Sequence, residues 1–174
     1  MGKVLSRFSN GFPGAVSRQK DDVIVALKNV GQTAIRFGDP VFLHNGVNPG
    51  GVRGFISGTT TGDEFVGFAV RVPDKTPATY PTTQDMSTGL NQNQQSVWKP
   101  GEVIEVLVRG CIAVKAFAGF SAGGKVYIRK SDGMLVSSAG SEGSTIWLEN
   151  VRIKRPQLGS GSSSEVVVTT RNIQ

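Results

Sequence analysis

The chain has 174 residues, of which 38% are hydrophobic and 18% charged, with 23 Gly, 8 Pro and a single cysteine. That balance suits one domain with a modest core and many turns, and one cysteine excludes an internal disulfide framework. The net charge of +6 sits at the ends: residues 1–20 carry Lys3, Arg7, Arg18 and Lys20 with no acid, residues 21–146 hold 11 basic and 11 acidic residues, and residues 147–174 hold four basic and two.

This distribution argues against a nucleic-acid binder, which gathers positive charge on a folded face or in a dense run. It suits an arm lying on an acidic protein surface. No apolar run approaches the roughly 20 residues of a membrane span, and MGKVLSRFSNGF has no apolar signal-peptide core, so neither membrane nor secretion is expected. MGKVLS fits the M-G-x-x-x-[ST] myristoylation pattern, a short pattern that recurs by chance.

Residues 1–20 contain Gly2, Gly11, Pro13 and Gly14 and show no helical period. They read as an extended arm with two aromatic anchors, Phe8 and Phe12, and Phe12-Pro13-Gly14-Ala15-Val16 reads as a hook. Val23–Leu27 is the first strand. Ala34–Phe37 and Val41–Leu43 flank a turn at Gly38-Asp39-Pro40. Asn45–Gly54 is a loop or wide hairpin end. Glu64–Val72 is a strand with its better apolar face on the even positions, and Gly67 inside it predicts a bulge or a close backbone contact.

Pro73–Lys99 is a long surface loop rich in Thr, Pro, Gln and Asn, with Tyr80, Met86, Leu90 and Trp98 as its adhesive residues. Pro100–Val114 (PGEVIEVLVRGCIAV) reads as a turn and two strands separated at Arg109-Gly110. Lys125–Arg129 is a strand, Ser131-Asp132-Gly133 a hairpin turn, and Met134–Val136 the return. Ile146–Lys154 alternates, and a tip at Gly159–Ser164 joins it to Glu165–Thr170 as a hairpin. The sequence shows no helix longer than about two turns and no repeat. The fold expected is all-β: a small β-barrel or sandwich-like body (21–174) with an extended N-terminal arm (1–20) and a long surface loop (73–99).

Chemistry is sparse. His44 and Cys111 cannot supply the three or four ligands of a zinc site. G-x-S-x-G does not occur in a strand–turn–helix context, and the glycine runs NPGGVRG and SAGGKV open no helix, GGKV also lacking phosphate-loop spacing. Asp21-Asp22 and Asp63-Glu64 are adjacent on strands and point to opposite faces. Cys111 reads as a small buried hydrophobe, compatible with synthesis in a reducing cytosol. No catalytic residue, metal or cofactor is expected.

The order of segments resembles the cement, or decoration, proteins of tailed-phage heads. The residues that carry the resemblance are Phe12–Val16 (FPGAV), Ile35–Val41 (IRFGDPV), Gly67–Arg71 (GFAVR), Pro100–Val114 and Gly124–Ile128. Residues 73–99 and 146–155 are less familiar. The resemblance implies a structural virion protein on the capsid exterior that bridges neighbouring major capsid proteins and stabilises the shell. On that reading Phe8, Phe12, Pro13, Arg18 and Lys20 contact the capsid. Tyr80, Met86 and Trp98 contact the capsid or another copy, and the body forms a homotrimer or a dimer. Two rivals are a glycan- or receptor-binding β-module of a head or tail fibre, which needs exposed aromatics grouped in one groove, and a β-barrel enzyme with two acids facing one cavity.

Overall fold

Twelve strands and no helix make up the regular structure of the described residues. These residues of the computed structural model are 12–17, 21–44, 51–56, 65–72, 97–115, 119–156 and 163–169. The strands are β1 (Val16–Ser17), β2 (Val23–Asn29), β3 (Ile35–Arg36), β4 (Pro40–Leu43), β5 (Gly51–Gly54), β6 (Phe65–Ala69), β7 (Val97–Trp98), β8 (Val103–Lys115), β9 (Lys125–Arg129), β10 (Leu135–Val136), β11 (Thr145–Arg155) and β12 (Ser163–Val168).

The pairing order β8-β2-β5-β4-β6 returns to β8 and closes a small barrel. Closure leaves no sheet edge around that ring. A second sheet runs β10-β9-β11-β12 onto the C-terminal half of β8. The all-β barrel body expected from the sequence is therefore present. One core, with Val41, Val52, Val66, Ile104, Val106 and Val108, groups apolar residues of the barrel strands. The other, with Phe42, Phe68, Ile112, Ile128, Leu148 and Val166, joins barrel strands to the second sheet.

Serving two cores requires β8 and β6 to change which face they bury, and a third irregularity, in β11, shifts the phase so that both of its halves keep to one core. In β8 the barrel core takes Ile104, Val106 and Val108, while the shared core takes Leu107, Ile112 and Val114. The side switches at Gly110, where φ is 123° and the pairing with β2 skips a residue between Val23 and Ile24. The sequence predicts two strands broken at Arg109-Gly110. The chain instead runs through as one bent strand, because a bulge preserves pairing on both sides of the bend.

In β6, Phe65 and Phe68 face the shared core and Val66 and Ala69 the barrel core. The even-face assignment fails because the register slips opposite Val41/Phe42, beside Gly67. Both faces of this strand are buried. In β11, Ile146 and Leu148 share one core with Val151 and Ile153, across a register shift between Leu148 and Arg152. The backbone carbonyls exposed by that bulge are used: Asn150 O accepts from Thr169 N at 2.8 Å, and Arg152 Nη1 donates to Glu149 O at 2.8 Å and Val151 O at 2.9 Å.

The shorter expectations hold. Asp39 N donates to Arg36 O at 3.1 Å, closing the turn at Gly38-Asp39. Residues β9 and β10 pair around Ser131-Asp132-Gly133, and β11 pairs antiparallel with β12 as the expected hairpin. Gly67 makes the close contact its position predicts, since a Cβ there would lie 2.1 Å from Leu107 O.

Candidate functional site

The described part of the leading segment is a hook seated on the body. Ala15 N donates to Phe12 O at 2.9 Å and closes the turn that Phe12-Pro13-Gly14-Ala15 encodes. Gly14 N then donates to Ala113 O at 2.8 Å, Ala113 N donates to Ala15 O at 2.9 Å, and Arg71 N donates to Gly14 O at 2.8 Å. β1 continues this ladder against Ile112 and Cys111 of β8. Val16 packs on the shared core. These bonds satisfy the hook's backbone within its own subunit, so its ordering needs no partner.

Phe12 remains 36% exposed. The Arg71 guanidinium lies 5.0 Å from its ring centre and 5.8 Å from that of Phe37. Phe12, half-buried Pro13 and Arg71 thus form one surface feature where residues 1–11 join the body. Arg71 had no signal in the sequence, because only the fold brings it to the hook. Phe8, Arg18, Lys20, Tyr80 and Met86 lie outside the described residues, as does the 73–99 loop apart from Val97–Lys99.

Trp98 is 5% exposed. Its indole N–H donates to Val70 O at 3.1 Å, and its ring meets Phe37 edge-on at 6.1 Å. Within one subunit its contact area is taken up by the barrel core.

The titratable groups are committed to structure or isolated. Glu165, 4% exposed, receives Lys154 Nζ at 3.4 Å and Arg155 Nε at 3.3 Å. Lys154 Nζ also donates to Cys111 Sγ at 3.3 Å. Burial pushes the Cys111 thiol up despite that ammonium, so it stays protonated and weakly nucleophilic. His44 donates its backbone N–H to Gly51 O at 3.1 Å. Among the described residues no group of three or more His, Cys, Asp or Glu is placed to hold a metal.

A groove of about 410 Å³ lies between the Arg36–Pro40 turn and the Asp132–Leu135 turn, with Asp39 and Asp132 both in its wall. This is the two-acid arrangement an enzyme would need, yet the acids differ in availability. Arg129 Nε holds both oxygens of Asp132, at 3.0 and 3.1 Å, and lowers its pKa. Asp39 Oδ2 accepts from Arg36 N at 3.1 Å, and burial raises its pKa from 3.8 to about 6. The exposed aromatics among the described residues, Phe12 and Trp147, each have a cation over the ring, Arg71 at 5.0 Å and Lys125 at 4.6 Å. A sugar-stacking face needs open rings instead.

The fold and its family are shown by comparison with known proteins. A solved chain from the capsid of Myoviridae phage XM1 shares the fold, with a TM-score of 0.66 and 18% identity, covering 97% of this chain and 96% of that one. No curated protein sequence matches the chain. Residues 3–172 match the family described as structural cement protein (E217 gp24/Pam3 gp6). The match spans nearly every residue, and the chain belongs to the phage structural cement protein family.

Proposed function

We propose that this cement protein attaches to the outer surface of the phage head, bridges neighbouring major capsid proteins and stabilises the shell without catalysing a reaction. The observation that carries the reading is the cement-family match over residues 3–172. The geometry supports it. A closed barrel sharing a core with a second sheet is stiff enough to transmit load between two contacts. The hook at residues 12–17 is seated on the body, and residues 1–11, which precede it in sequence, carry Lys3, Arg7 and Phe8 and no acid. Phe12 and Pro13 belong to that hook, and Phe8, Arg18 and Lys20 flank it in sequence, which supports a shared capsid contact.

A ligand that binds the assembled shell and not its separated subunits stabilises the shell by mass action. Many copies with modest interfaces suffice. The assembly we propose is a closed cyclic homo-oligomer, a trimer or a dimer, with Tyr80 and Met86 as contacts to another copy or to the capsid. Purified protein added to heads lacking it tests the reading by co-sedimentation. Mass photometry of the free protein reports the oligomer. Protein that stays in the supernatant at saturating concentration contradicts the assignment.

A further inference from the structure

The groove lies between the Arg36–Pro40 turn and the Asp132–Leu135 turn. Its walls are apolar where Phe55, Met134 and Leu135 meet, and Arg36 and Lys115 stand on its rim. Both cations are exposed. Both lie close enough to Asp39 to act on its carboxyl. Asp132 is already neutralised by Arg129. The Asp39 carboxylate, with a pKa of about 6, offsets one of the two cations at neutral pH, and the charge left to meet a ligand is a single positive one.

We propose that this groove is the docking site for an extended acidic segment of the major capsid protein, an assignment that rests on the capsid-binding reading above. Charge sign selects the partner. The leading segment of a second copy carries Lys3, Arg7, Arg18 and Lys20 with no acid, and the Arg36/Lys115 rim repels it. An acidic partner meets both the groove and the basic ends of the chain, so one capsid surface satisfies all three.

Shape selects an extended segment. β10 contributes Leu135 to the wall and ends its sheet, pairing only with β9 among the described residues. An open strand edge accepts an added strand through main-chain hydrogen bonds, while pockets beside it read alternate side chains. The occupant touches a turn from the barrel and a turn from the second sheet, and the shared core holds those two turns at a fixed separation.

The test uses the double variant Arg36→Glu/Lys115→Glu in the full chain. One probe is a fluorescein-labelled ten-residue peptide alternating Glu and Val, with a Lys/Val peptide as control, read by anisotropy. The other is heads lacking the protein, read by co-sedimentation. The expected result is that the acidic peptide binds the wild-type protein and the basic one does not. The double variant should lose roughly tenfold or more in affinity for both the acidic peptide and the heads, as reversing rim charges does at complementary interfaces. Its melting temperature at neutral pH should fall, because two acids replace the cations that favour the Asp39 carboxylate, so binding is measured well below that temperature. Should that variant fold poorly, Arg36→Gln/Lys115→Gln is expected to show a smaller loss in the same direction. Unchanged binding to heads, equal binding of the basic peptide, or a changed oligomeric state with head binding intact overturns the groove assignment. Wild-type protein that fails to bind heads overturns the capsid reading itself, a separate outcome.

Discussion

The Arg71 guanidinium sits 5.0 Å from the centre of the Phe12 ring, and its backbone N–H donates to Gly14 O at 2.8 Å. One residue at the end of β6 therefore holds the hook twice, by side chain and by main chain. Exposed cation–π contacts contribute about 0.5–1 kcal/mol each. Arg71→Ala removes the contacts to Phe12 and Phe37 and leaves the backbone bond. The expected outcome is a melting temperature lowered by roughly 2–4 °C and faster cleavage by thermolysin at the Ala15–Val16 bond of the hook. An unaltered cleavage rate means that the backbone bond alone holds the hook.

Gly67 of β6 packs directly against the backbone of Leu107 in β8. A Cβ at Gly67 would fall 2.1 Å from Leu107 O, and that oxygen belongs to the main chain, which cannot swing away. Gly67→Ala should cost about 3 kcal/mol or more, the upper range for overpacking a core. Urea titration followed by tryptophan fluorescence checks this. A cost below about 1 kcal/mol means that β6 shifts away from β8 freely.

Gly67 also shows how far the sequence can be read. A glycine inside an alternating run announces a bulge or a close approach, and both occur there. The turn at Gly38-Asp39 and the hairpin at Ser131-Asp132-Gly133 were legible for the same reason, since turn chemistry is local. The phase changes at Gly110 and between Leu148 and Arg152 were not. A period-of-two pattern assigns one face to a whole strand, whereas β8 changes face partway along and β11 shifts phase so that both of its halves keep to the shared core. The groove was illegible too, because Arg36, Lys115 and the Asp132–Leu135 turn meet only through tertiary packing. Trp98 looked like an adhesive loop residue, and only the path of β7 beside β3 reveals that it packs on Phe37.

Asp39 should make stability fall as pH rises. Burial lifts its pKa from 3.8 to about 6, while the Arg36 N–H and the charges of Arg36 and Lys115 oppose that lift without cancelling it. Between those two values the folded state binds a proton that the unfolded state has lost. The stabilisation from this proton is complete below the unfolded value and is lost as pH passes the folded one. Asp39→Asn removes the dependence. At pH 7.5 the variant should be about 1–3 kcal/mol more stable than wild type, with the advantage fading toward pH 4. A difference that stays constant over that range contradicts the assignment.

Glu165 ties β12 to β11 through Lys154 and Arg155, at 3.4 and 3.3 Å. Glu165→Gln leaves two cations that reach water, so the cost should be about 1–3 kcal/mol, at or below that of breaking a fully enclosed pair. Cys111 reports on it. The thiol is buried and its pKa raised, so the native protein should react slowly with a thiol reagent, and Glu165→Gln should speed labelling by letting β12 part from β8. Fast labelling of the wild-type protein contradicts the packing described for this sheet.

The most direct measurement compares the full chain with a variant lacking residues 1–11 on heads devoid of the protein, following both co-sedimentation and the temperature at which the heads rupture. The account predicts that the full chain sediments with the heads and raises the rupture temperature. The shortened chain should fold normally, because its hook is intact, yet bind more weakly and protect less. A full chain that leaves the rupture temperature where it was, or a shortened one that protects equally well, contradicts the account.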